Sequence, residues 1–196
     1  MSRLNTVCVF CGSNPGTEPE FLEAATETGK FLAENRIGLV FGGGRVGLMG
    51  RVADTVMAAG GKVIGVIPRD LAEKEVAHQN LTELHVVESM HKRKALMAKL
   101  SDGFVAMPGG FGTFEEICEV ITWTQLGFQQ KPCGILNTNG YYKNLIALFD
   151  NATEKGFIRS EHRRLVLVSD KIDDLIDQLT DFEPTRLEKW IDKDSI

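Results

Sequence analysis

Gly60-Gly61-Lys62-Val63-Ile64-Gly65-Val66-Ile67 is the stretch that decides the fold. From Val63 to Ile67 no position is polar, so the run does not alternate. A strand of that kind is buried on both faces, as in a parallel sheet covered by helices. Before it, Leu48–Ala59 reads as a helix stopped by Gly60-Gly61.

The same alternation extends to both ends of the chain. Candidate strands are Thr6–Cys11, Ile37–Phe41, Lys62–Ile67, Leu84–Val87, Gly103–Met107, Pro132–Leu136 and Leu165–Val168. Helices are expected at Pro19–Asn35, Leu48–Ala59, Ser89–Leu100, Thr113–Leu126, Tyr141–Lys155 and Asp170–Asp181, with the last dozen residues a tail or a short terminal helix. Repeated βαβ units imply an α/β fold: a doubly wound, Rossmann-like parallel sheet of about seven strands flanked by helices. The 196 residues suit a single domain, 1–196, with no internal repeat or linker.

Composition narrows the function classes. The net charge of −5 argues against a nucleic-acid or membrane-surface binder, though not against a small phosphorylated ligand. The N-terminal residues show no signal-peptide pattern, and no apolar run reaches membrane-span length. Cys8, Cys11, Cys118 and Cys133 suggest no disulfide framework, so a cytoplasmic location is expected. Cys8 and Cys11 form C-x-x-C, but their odd separation on a strand points them to opposite faces, which disfavours metal or redox use. The histidines show no metal spacing.

Three expected strands end in glycine-containing turns: Cys11-Gly12-Ser13-Asn14-Pro15-Gly16, Gly42-Gly43-Gly44-Arg45-Val46-Gly47 and Pro108-Gly109-Gly110-Phe111-Gly112-Thr113. In a parallel sheet these turns share the carboxyl edge, where ligands bind and helix N-termini present free amides to phosphate. Gly42 to Gly47 fits G-x-G-x-x-G, but the next strand ends Ile67-Pro68-Arg69, without the acid that would hold a dinucleotide ribose. Its glycines fit close helix packing as well as they fit nucleotide contact. No phosphate-loop G-x-x-x-x-G-K-[ST] is present.

Thr113 can contribute a hydroxyl to a phosphate cradle or cap the following helix. Glu115 and Glu116 are expected in that helix's first turn, where an acid offsets the dipole. A carboxylate beside a phosphate site repels its ligand, so Glu116 is the candidate for chemistry and Glu115 for the dipole. Met90-His91-Lys92-Arg93-Lys94 opens the preceding helix; the residues alone suit a solvated basic face as well as nucleotide recognition.

Met90-His91-Lys92-Arg93-Lys94 and Pro-Gly-Gly-x-Gly-Thr-x-x-Glu, with Glu116 23 residues after Arg93, resemble the LOG family of cytokinin riboside 5′-monophosphate phosphoribohydrolases. The similarity extends to Val7–Ser13, Phe41–Gly44, Gly47–Gly50, Val120–Trp123 and Asn139–Tyr142. The resemblance implies hydrolysis of the N-glycosidic bond of an adenosine 5′-monophosphate-type nucleotide, with Arg93 and Glu116 as the catalytic pair. It implies substrate contacts from Gly12, Ser13, Gly43, Gly44, Met90, Lys94, Pro108, Gly109, Gly110, Phe111, Gly112 and Thr113, with Glu75 and Thr122 less firmly placed. It also implies a homodimer with sites near the subunit interface, and neither cofactor nor metal. Lysine decarboxylation, an older description of the family, would need a cofactor-bearing lysine in its own motif, and none is found. A non-catalytic nucleotide or cofactor carrier, as in the related molybdenum-cofactor carriers, is the alternative; it would need no carboxylate beside the sugar.

Overall fold

The computed structural model describes residues 4–74 and 77–183. Its strands are β1 (Thr6–Phe10), β2 (Gly38–Phe41), β3 (Val63–Pro68), β4 (Glu83–Val87), β5 (Gly103–Ala106), β6 (Cys133–Leu136) and β7 (Val166–Ser169). The helices are α1 (Pro19–Glu34), α2 (Gly47–Ala58), α3 (Arg69–Lys74), α4 (Met90–Leu100), α5 (Phe111–Gln125), α6 (Lys143–Glu154), α7 (Ser160–Arg163) and α8 (Ile172–Thr180), with a 3₁₀ turn at Thr138–Gly140.

The strands form one seven-stranded sheet in the order β4-β3-β2-β1-β5-β6-β7, every pair parallel. The chain winds outward from β1 to β4, returns through α4, and resumes beyond β1 at β5. The direction therefore reverses between β1 and β5, whose register runs from Val7–Gly103 to Phe10–Ala106. An open α/β sheet binds ligands at such a point, because the diverging crossovers leave a crevice at the strand ends.

Side-chain alternation along β1 divides the core into two layers. Val7, Val9 and Cys11 pack with Phe21, Ala25 and Leu32 of α1, Val52 and Val56 of α2, and Leu175 and Ile176 of α8. Cys8 and Phe10 face the other way, to Met97 of α4, Ile117 and Val120 of α5, and Tyr142. Cys8 and Cys11 thus lie on opposite faces, both buried and free. Burying a large aliphatic side chain contributes roughly 1.5–3 kcal/mol, so two continuous layers stabilise the fold without cross-links.

The inner strands are buried on both faces, but β4 is an edge with Leu84 and Val86 exposed. Leu84 and Val86, two residues apart, share one face of β4, and that face is left partly open at the sheet edge. The short helices α3 and α7 were not expected; six and four residues are too few to display a helical period. The expected terminal tail or helix lies outside the described residues. Among the described residues no helix is long and apolar enough to cross a membrane.

Candidate active site

Three turns meet at the carboxyl edge. The amide of Gly12 donates to the carbonyl of Pro108 at 3.0 Å, and the amide of Leu48 donates to the carbonyl of Gly12 at 3.0 Å. Such contacts need missing side chains. A Cβ on Gly109 would lie 2.2 Å from the Thr113 hydroxyl oxygen and 2.9 Å from the Gly12 nitrogen. Gly47 has φ +61°, and a Cβ there would lie 2.3 Å from the Ser13 carbonyl carbon. The turns enclose a cleft of about 290 Å³ lined by Gly12, Ser13, Asn14, Pro108, Gly109, Gly110 and Tyr141, among others. Five of these were expected from the sequence: Gly12, Ser13, Pro108, Gly109 and Gly110.

Gly43 and Gly44 are placed differently. The Gly43 carbonyl accepts from the His78 amide at 2.9 Å, and Gly44 bridges to Ala77. Both are buried beneath the segment returning from α3 and do not line the cleft. His78 is held in turn by Asp54 of α2, its Nε2 lying 2.9 Å from Oδ1.

Helix α5 starts two residues earlier than expected, at Phe111, with Gly110 as its N-cap. Two expectations change. Thr113 does not cap the helix but sits buried within its first turn, against Gly109. Glu115 and Glu116 lie beyond the first turn, which holds no acid, so dipole compensation explains neither. The opening amides of α5 lack intrahelical partners and face the cleft edge, where Gly110, Phe111 and Gly112 are exposed.

Two tyrosines unassigned by the sequence reading brace this turn. Tyr142, 1% exposed, donates its hydroxyl to the Met107 carbonyl at 2.7 Å, and Tyr141 donates to the carbonyl of Gly109. The Tyr141 ring meets Phe21 of α1 edge-on and stacks near Phe114 of α5. The only sequence signal for them was Asn139-Gly140-Tyr141-Tyr142, which carried resemblance but no role.

The Met90–Lys94 run divides by function. Ser89 caps α4, its hydroxyl accepting from the Lys92 amide at 3.2 Å. His91 and Lys92 are exposed, and Lys92 pairs with Glu88. Lys94 turns to α5 and pairs with Glu115 and, at 3.0 Å, with Glu119; it is not directed at the cleft. Arg93 alone is buried, at 8% exposure. Its Nε donates to the Val66 carbonyl and its Nη2 to the Gly42 carbonyl, each at 3.2 Å, while Nη1 lies 3.7 Å from the Met90 sulfur.

Glu116 is 9% exposed, and among the described residues no hydrogen bond or ion pair holds its carboxylate. Burial pushes its carboxyl up to about 7; Arg93 is the strongest charge acting in the opposite direction. Burial raises the thiols of Cys8 and Cys11, and the negative charge of Glu116 raises both further. A desolvated carboxylate tuned near neutrality beside an unpaired cation can bind or release a proton, or face a developing positive charge.

Thr122 is not part of this assembly. It lies more than a turn beyond Glu116 on α5, lining a separate groove with Cys118, Phe149 and Arg163. Glu75 lies outside the described residues. Among the described residues no group of three or more His, Cys, Asp or Glu could hold a metal ion.

Fold and site together define an α/β protein whose glycine turns gather at the carboxyl edge of a parallel sheet, with a buried carboxylate one turn along α5. A family described as "Possible lysine decarboxylase" matches residues 49–179. A cytokinin riboside 5′-monophosphate phosphoribohydrolase of Arabidopsis thaliana is 47% identical over 183 residues, covering 93% of this chain and 84% of that protein. A second from the same plant is 45% identical over 194 residues, covering 99% and 91%. Among solved structures, the molybdenum cofactor carrier protein of Chlamydomonas reinhardtii superposes with a TM-score of 0.67 at 23% identity, covering 91% of this chain and 99% of that one; this likeness concerns the fold. The chain belongs to the LOG family.

Proposed function

We propose that this protein hydrolyses the N-glycosidic bond of cytokinin riboside 5′-monophosphates, AMP or both, releasing the free base and ribose 5-phosphate. The C1′–N9 bond breaks, and a water oxygen bonds to C1′. One water proton goes to the base and the other remains on the new anomeric hydroxyl. The observation that carries this reading is the buried Glu116 carboxyl, held by no hydrogen bond and raised to about 7, one turn below the open amides of α5. A carrier has no use for such a group.

The phosphate rests on the Gly110–Thr113 start of α5, with Gly12 and Ser13 completing the cradle. As C1′–N9 lengthens, positive charge grows on the ribose. Glu116, ionised, stabilises that charge and takes a proton from the attacking water. Arg93 faces the departing base, which gains negative charge. Phosphate binding supplies remote energy that orients the sugar over Glu116. Incubation with adenosine and AMP in parallel tests this: AMP should release adenine at least about 10²-fold faster, and equal turnover would refute the phosphate cradle.

The functional unit is a homodimer in the cytoplasm, with residues 1–196 forming one domain in each subunit. Support for the dimer comes from α6, which buries no residue fully, and from exposed Phe128, Leu148 and Phe157 on the α5–α6 side. A solution mass of twice 21.6 kDa is expected by light scattering. Lys94, Gly43, Gly44, Met90 and Thr122 remain proposed substrate contacts in that assembly, as does Glu75.

A further inference from the structure

We propose that Gly42 is a positioning residue: its missing side chain and its carbonyl seat the Arg93 guanidinium on the ends of β2 and β3, away from the Glu116 carboxylate. This rests on Arg93 and Glu116 being the catalytic pair. A buried arginine beside a buried carboxylate would ordinarily swing into an ion pair, since each is costly to leave uncompensated. Here no ion pair joins them among the described residues, and Arg93 spends two donors on carbonyls, those of Val66 and Gly42.

The seat exists because position 42 lacks a Cβ. An ideal Cβ there would lie 1.9 Å from Nη2 and 3.1 Å from Cζ of Arg93; the next neighbour, the Met49 sulfur, is at an ordinary 3.4 Å. Gly42 is not among the positive-φ glycines, so alanine fits its backbone without strain. The group that must move is the free end of a flexible side chain. A methyl at position 42 therefore evicts the guanidinium while leaving the sheet intact. The first glycine of G-x-G-x-x-G serves an arginine, where the dinucleotide reading would have it serve a cofactor.

The charged groups acting on Glu116 are Arg93 and Lys94 from α4 and Glu115 and Glu119 from its own helix, and the Glu116 charge in turn reaches the thiols of Cys8 in β1 and Cys11 just beyond it. Lys94 is engaged by Glu115 and Glu119, and burial keeps both thiols neutral. Arg93 is thus the one neighbour whose displacement can move the Glu116 titration strongly downward.

Gly42→Ala tests the proposal in two independent ways. Carboxyl-¹³C NMR of Glu116 needs no substrate. The midpoint should fall from about 7 by roughly a unit or more as Arg93 closes on the carboxylate. In base release from AMP, the acid limb of kcat/KM should shift down equally, and kcat should drop by about tenfold or more with KM nearly unchanged. In an Arg93→Lys background, which has no Nη2 to displace, Gly42→Ala should add less than about twofold. An unmoved Glu116 midpoint, additive losses in the double variant, or an unfolded Gly42→Ala protein would each overturn the proposal. If wild-type protein releases no base, the catalytic reading fails, but the NMR titration still decides where Gly42 puts Arg93.

Discussion

The amide of Gly12 donates to the carbonyl of Pro108 at 3.0 Å, so the turns that end β1 and β5 act as one unit across the switch point. Gly109→Ala attacks this joint. Its methyl would press on the Gly12 backbone nitrogen at 2.9 Å, which cannot rotate away. A stability loss of about 1–3 kcal/mol is expected from urea unfolding, together with weakened AMP binding. Wild-type stability would mean the two turns are not locked together.

Gly112→Ala should behave oppositely. Nothing lies within 4 Å of a Cβ there, and the residue is inside α5. Alanine favours the helix by up to about 1 kcal/mol. The same methyl stands where the phosphate is proposed to lie, so AMP affinity by calorimetry should drop about tenfold or more, a change of roughly 1.4 kcal/mol. A stabilised variant that binds AMP normally would remove the phosphate from the start of α5.

Much of this was legible in the sequence because it depends on period and order. The apolar run Val63–Ile67 and the strand–glycine–helix passage at Gly103–Glu116 required a parallel sheet with its turns on one edge. What stayed hidden depends on direction in space. Nothing in Met90–Lys94 says that Arg93 turns inward while Lys94 turns to Glu115 and Glu119. Gly42 and Gly43 look equivalent, yet one seats a guanidinium and the other accepts from His78. The start of α5 was misplaced by two residues because glycines disguise a first turn, and that slip put Glu116 in the wrong turn.

Tyr142→Phe isolates the brace beneath the glycine turn. Removing the buried hydroxyl leaves the Met107 carbonyl without that donor, at a cost of about 1–3 kcal/mol. Tyr141 is 40% exposed, so Tyr141→Phe should cost less stability but raise KM for AMP by loosening Gly109. Thermal melts and steady-state kinetics on both variants separate the effects; equal melts would contradict the difference in burial.

Glu116 links stability to pH. Its folded carboxyl is raised to about 7, whereas an unfolded glutamate titrates near 4.3. The folded state therefore holds its proton more tightly. Stability from this group is complete below about pH 4 and is lost as pH rises through about 7. Glu116→Gln cannot ionise, so near pH 8 it should be more stable than wild type, by on the order of 3 kcal/mol, with the difference vanishing below about pH 4. A variant equally stable with wild type at both pH values would mean the carboxyl is not desolvated.

The central claim is that the ionised Glu116 carboxylate drives cleavage of the nucleotide's base–sugar bond. Its most direct test is chromatographic measurement of free base from AMP and from isopentenyladenosine monophosphate, with wild type and Glu116→Gln, across pH 5 to 9. Wild-type kcat/KM should rise with pH through a midpoint near 7, and the variant should lose about 10²–10⁴-fold above that midpoint, with a flat profile that narrows the gap toward pH 5. No base from either nucleotide, or undiminished release by Glu116→Gln, would contradict the mechanism.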